Sequence, residues 1–236
     1  MRFARLSVLT TSVIVALALA GQVQAGPITY GPTPYLSAAD SPFAGGAGLD
    51  YFYLEDFEDF ALNTPGVTAS AGYSTKPAWP ASATDSVDGD DGVIDGYGNN
   101  GNSWFSSPGP AGVTFTFDAG VLGALPIEAG IVWTDGMDPI TFEAYDAYGA
   151  LIGSISTTGV ADPVYTGTTA EDRFFGISYP DGIGKIKLYS GPAGVASGIE
   201  MDHLQYGGNT IPAPGAVILA GIGAGVAGWL RRRGII

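Results

Sequence analysis

Thr141-Phe142-Glu143-Ala144-Tyr145-Asp146, the turn Ala147-Tyr148-Gly149, and Leu151-Ile152-Gly153-Ser154-Ile155 decide the fold class. Two runs carrying aromatic and β-branched residues flank a short glycine-containing turn, which reads as a β-hairpin. Working outward, similar runs recur between turn signals. They are Tyr51–Phe57, Val113–Phe117 with clean alternation, Ile131–Thr134, Phe174–Ile177, Ile183–Leu188 and Ile199–Leu204. No helical period stands out except at the two ends. The 37 glycines and 16 prolines fit a turn-rich chain. Eight or more strands predict an all-β body, a single antiparallel sandwich of the jelly-roll type. The expected organisation is a signal peptide over 1–25, a loose Pro/Gly-rich lead-in over 26–48, a sandwich over 49–207, a spacer over 208–211 and a tail over 212–236.

Composition excludes several functions. The 236 residues hold 23 acids and nine bases, a net charge of −14. Arg2, Arg5, Arg231, Arg232 and Arg233 lie at the ends, so residues 26–210 carry four bases against 23 acids, a net −19. Such a surface repels phosphate backbones, which argues against a nucleic-acid partner. There is no cysteine, so disulfides, thiolate metal sites and cysteine nucleophiles are excluded. His203 is the single histidine, which excludes a multi-histidine metal centre. With 46% hydrophobic and 11% aromatic residues, the chain is too apolar to be a disordered tail.

The ends carry addresses. Arg2 and Arg5 precede the apolar run Leu6–Ala20, and Val23-Gln24-Ala25 fits small-x-small cleavage between Ala25 and Gly26. At the other end, Pro212-Ala213-Pro214 leads into the apolar run Val217–Leu230, followed by Arg231, Arg232 and Arg233. Its length predicts a transmembrane helix, with the arginines holding its last turn on the cytoplasmic side. The order Pro-x-Pro, Gly/Ala-rich span, arginine cluster, stop resembles the PEP-CTERM sorting signal of exported Gram-negative proteins, many of them biofilm formers. Ala213 stands where the family has Glu, matching a Pro-Ala-Pro variant. The resemblance implies an exosortase-type processing enzyme as partner, transit through the inner membrane, and delivery to the cell surface or the exopolysaccharide matrix.

The body is similar to β-sandwich domains found before such tails, through Leu54-Glu55-Asp56-Phe57-Glu58 and Ile199-Glu200-Met201-Asp202-His203-Leu204. The topology this implies is that of the galactose-binding-like jelly rolls of carbohydrate-binding modules. In many of those, carboxylates from the first and last strands meet at one Ca²⁺. Carried over, Glu55, Glu58 and Asp202 become calcium ligands.

Calcium takes six to eight oxygen ligands. Glu55 to Asp59 offers four carboxylates in five residues; the alternative is a solvated acidic edge strand. Asp85, Asp88, Asp90, Asp91 and Asp95, broken by glycines, form a second candidate. Their spacing fails the EF-hand pattern. The alternative here is a chain of Asx turns. Trp79 lies between prolines and Trp104 follows an Asn/Gly loop, with Tyr73 and Tyr97 nearby. Sugars stack on exposed rings of this kind, so both tryptophans are candidates for polysaccharide binding, and core packing is the alternative. Trp133, in an apolar run, belongs to the core. Arg173, between acids and aromatics, is expected to pair with a carboxylate and fix a loop. No Gly-x-Ser-x-Gly elbow and no phosphate loop is present. His203 is expected to make a structural hydrogen bond, and the chain to be non-catalytic.

Overall fold

The computed structural model describes residues 26–210 and 214–234. The expected signal peptide, with Ala25 of its cleavage site, and Pro212 and Ala213 of the tail lie outside the described residues. The strands are β1 (Ile28–Pro34), β2 (Tyr51–Glu55), β3 (Val67–Ala69), β4 (Tyr73–Ser74), β5 (Trp104–Ser106) and β6 (Val113–Phe117). They continue as β7 (Glu128–Asp135), β8 (Ile140–Tyr145), β9 (Leu151–Thr157), β10 (Arg173–Ser178), β11 (Lys185–Ser190) and β12 (Ile199–Gly208). One α-helical turn, α1 (Ala119–Leu122), sits in a loop, and a helix α2 (Pro214–Arg232) follows the sheets.

The strands form an antiparallel β-sandwich. The larger sheet runs β1-β10-β7-β12-β5-β4, and the smaller β3-β6-β11-β8-β9. The ten-residue β12 carries β5 along its first part and β2 along its second. The hairpin read from 141–155 is β8–β9. Its turn is held by the Asp146 carboxylate, which accepts the amides of Tyr148 and Ala150 at 2.8 Å.

Alternation sorts the side chains. Phe115, Phe142, Ile186 and Leu188 of the smaller sheet meet Ile131, Trp133, Phe175, Met201 and Leu204 of the larger one in the central core. The residues between them on the larger sheet face the other way. Val132 and Phe174 make a second core with Tyr35, Phe43 and Val87. Tyr35 stacks on Phe174, and Phe43 meets it edge-on. The larger sheet is therefore covered on both faces.

This corrects the expected loose lead-in. Residues 28–34 are edge strand β1, paired with β10, and Tyr35 and Phe43 are core. An edge strand tolerates the prolines that disguised it. A second feature is a bulge in β12. Between Asp202 and Gln205 the register against β7 shifts, and His203 has φ 44°. The extra residue lets Leu204 enter the core while Asp202, His203 and Gln205 face the outer layer.

The C-terminal expectation is corrected in part. Pro214–Arg232 is helical, but among the described residues no helix is long and apolar enough to cross a membrane. Five of its residues are glycine, adding no apolar side chain, and it ends on Arg231 and Arg232. Arg233 follows, its guanidinium over the Trp229 ring.

If the outer core is as integral as the central one, Phe174→Ala costs about 3–5 kcal/mol, as Phe115→Ala does. Urea unfolding measures both, and a loss under about 1 kcal/mol for Phe174→Ala would show the lead-in to be dispensable cover.

Candidate functional site on the outer face of the larger sheet

Buried acids gather where β10, β7 and β12 lie side by side under the 84–91 loop. Glu200 of β12 pairs with Asp135 on β7 and Phe105 on β5. Asp172 immediately precedes β10, whose Arg173 pairs with Trp133. The loop above brings Asp85, whose amide donates to Glu200 Oε1 at 3.3 Å; the Ser103 hydroxyl donates to the same oxygen. Asp85 and Asp172 have no exposed surface, and Glu171 and Glu200 almost none. Both carboxylate oxygens of Asp85, both of Asp172, Glu171 Oε1 and Thr134 Oγ1 are buried with no hydrogen-bond partner.

Desolvation is the main effect on these groups, and mutual repulsion adds to it. Asp85 is pushed up to about 10 by burial, then by the charges of Glu200, Asp135, Glu171 and Asp162. Burial raises Glu171 and Glu200 to about 8, and Asp135 to about 6. Asp172 is raised well above the usual range by burial and by Asp85, Glu171 and Asp88, against a small opposing pull from Arg173.

A second group lies beside the bulge. Ligand atoms of Asp90, Asp202 and His203 lie within 4.8 Å of one another, so these three could hold a metal. Their bonds are mostly internal. Asp202 accepts the amides of Val87 at 3.0 Å and His203 at 2.6 Å. His203 Nε2 meets Asp90 Oδ1 at 2.8 Å, and Nδ1 meets the Tyr35 hydroxyl at 3.0 Å. Gln205 Nε2 donates to that hydroxyl at 2.8 Å, leaving the phenol proton for Nδ1 and the other ring proton for Asp90. His203 thus holds structural hydrogen bonds through both ring nitrogens.

The remaining candidates have other duties. Glu55 does not meet Asp202. It stands opposite the core-facing Leu204, while the bulge turns Asp202 to the outer face. Its carboxylate accepts the amides of Phe57, Asn63 and Thr64. Glu58 accepts the amide of Asn102, and burial raises its pKa to about 7. Asp88 accepts the amides of Asp95 and Gly96 and the Thr169 hydroxyl. Asp91 and Asp95 accept amides two residues on, as Asx turns do. Arg173 reaches the carbonyls of Ala170 and Asp172, not a carboxylate. Glu171, Asp172 and Thr134 were missed by sequence reading, because nothing local to them signals a shared site.

Beside the carboxylates opens a cleft of about 460 Å³ lined by Trp79, Phe105, Tyr165, Gly198, Asp135 and Glu200. Trp79 packs on Phe105 with ring centroids 4.6 Å apart, and Tyr165 is 77% exposed. Trp104 does not share this cleft. Adjacent residues of β5 face opposite sides, so Trp104 leans on core Phe57 and donates its indole N–H to Ala71.

No family model matches the chain, and no curated protein matches it. Among solved structures, the K1 cleaved adhesin domain of Lys-gingipain from Porphyromonas gingivalis W83 is similar at 13% identity and a TM-score of 0.40, over 67% of this chain and 99% of that domain. A likeness of that size carries no argument about this chain.

The raised carboxyls set a pH dependence. With its acids held above their ordinary values, the folded state binds more protons than the unfolded state from about pH 4 to 8. In chelator, stability is greatest at the acidic end of this window and falls as pH rises through it. Thermal melts at pH 5 and pH 8 check this, and equal or rising midpoints would mean the acids are not held in protonated form.

Proposed function

We propose that this chain is an exported, non-catalytic β-sandwich protein of the cell surface or exopolysaccharide matrix, serving there as a glycan-binding module. The cleft carries the reading. Trp79 and Tyr165 offer amphipathic faces to sugar C–H groups, and Asp135 offers an acceptor to hydroxyls. A jelly roll of the galactose-binding-like kind is the finer fold reading. The orders β5-β12-β7-β10 and β6-β11-β8-β9 support it, because they are the two four-stranded halves of that topology.

Export and processing rest on the sequence of the two ends. The leader carries its address at Ala25–Gly26. Pro212-Ala213-Pro214, the glycine-rich run and Arg231–Arg233 are the features an exosortase-type enzyme would recognise.

Two carboxylates in one cleft also suit a glycosidase. Glu200 is nearly inaccessible, however, and its Oε1 is already engaged by Ser103 and Asp85, which leaves Asp135 as the reachable acid. The net −19 of residues 26–210 favours a second role, as a charged and hydrated structural component of the matrix.

A glycan array probed with the purified full-length chain separates these readings. Selective retention of one polysaccharide class, weakened about tenfold or more by Trp79→Ala, is expected. No binding would leave the structural matrix role, and release of new reducing ends from a bound glycan would overturn the non-catalytic assignment.

A further inference from the structure

We propose that Asp85, Thr134, Glu171 and Asp172 form a binding site for a divalent cation of the calcium class, enclosed between the larger sheet and its outer cover. The site stands whether or not the neighbouring cleft binds glycan.

Two observations converge. The first is a concentration of acids. Asp85, Glu171 and Asp172 act electrostatically on one another, and Glu200 and Asp135 add to the field. The second is their bonding. These four residues present six buried oxygens with no donor facing any of them. Elsewhere in this layer Asp88 takes two backbone amides and a hydroxyl, Asp202 takes two amides, and Asp90 meets His203 through Oδ1 and leaves only Oδ2 unpartnered. Buried polar atoms are ordinarily paired. A buried carboxylate that lacks donors needs a proton or a cation, because isolated charge in the interior is costly. Arg173, the base that acts on Glu171 and Asp172 among the described residues, donates through Nη1 to the carbonyls of Ala170 and Asp172.

The donor set selects the ion. Six oxygens are on offer, five of them from carboxylates; they are not gathered within 4.8 Å of one another as those of Asp90, Asp202 and His203 are, and a large cation with flexible coordination, such as calcium, suits a set that must be drawn in. Zinc favours nitrogen and sulfur donors, and magnesium usually keeps several of its waters. The one imidazole, His203, lies in the other carboxylate group with both nitrogens engaged. The proposed site differs from the first-strand and last-strand set implied by resemblance. Glu55 faces the other side of the sheet, and Asp202 has its own donors.

The test uses the full-length chain, stripped with chelator and titrated with CaCl₂ by calorimetry, with thermal melts alongside. One ion per chain is expected. At a hundredfold excess over Kd the melting midpoint rises by about 5–10 °C. Asp85→Asn/Asp172→Asn abolishes that rise and melts in chelator no lower than the parent. Thr134→Val keeps shape and charge and weakens calcium about tenfold, which guards against misfolding of the double variant. Asp90→Asn, in the second group, leaves binding unchanged. The assignment is overturned if parent midpoints are equal in calcium and chelator. It is also overturned if Asp90→Asn loses binding while Asp85→Asn/Asp172→Asn retains it.

Discussion

Everything at the candidate site follows from one constraint: the larger sheet is buried on both faces. An antiparallel sandwich usually leaves its outer faces wet, and their acids then cost little. Here Val132 and Phe174 are roofed by Tyr35, Phe43 and Val87, and the 84–91 loop closes over the end of β7 and β12. Polar residues on that face must find partners inside the protein. The bonding of Asp88, Asp202, His203, Tyr35 and Gln205 is the result of that requirement.

The same roof creates the shortage at Asp85 and Asp172. Burying a charge costs several kcal/mol even after relaxation, unless it is paired. Protonation and cation binding are the two ways to remove the charge, and they differ in consequence. A proton satisfies one oxygen at a time and leaves the acids dependent on pH. A divalent ion draws several oxygens to one point and ties the loop bearing Asp85 to Thr134 of β7 and to Asp172 at the start of β10. The two accounts share the same raised carboxyls, so only the response to added cation separates them.

How much was legible in the sequence depended on how local the cause was. Val113–Phe117 was read with its boundaries intact because each residue alternates between core and surface. The β8–β9 hairpin was legible from its turn. Strand β1 was not, since Gly31, Pro32 and Pro34 mimic a loop and only pairing with β10 makes it a strand. Strands β3 to β5 are two or three residues long, too short for any period. At the site, Asp85 was visible within an aspartate-rich loop. Its partners Glu171, Asp172 and Thr134 lie far along the chain and read as an ion-paired loop or as unremarkable strand. Asp202 was singled out with Glu55 and Glu58 as a calcium ligand, but the bulge turns it to the outer face, away from Glu55, and no local signal marks the inserted residue.

The cleft and the carboxylate group are not separate. Glu200 and Asp135 line the aromatic cleft and also act on Asp85. Whatever neutralises Asp85, Glu171 and Asp172 therefore alters the field at the floor of the cleft. With that charge uncompensated, the cleft disfavours anions. A cation seated at Asp85 and Asp172 would offset that field from behind the cleft. The coupling runs through shared carboxylates and requires no movement of the sheet.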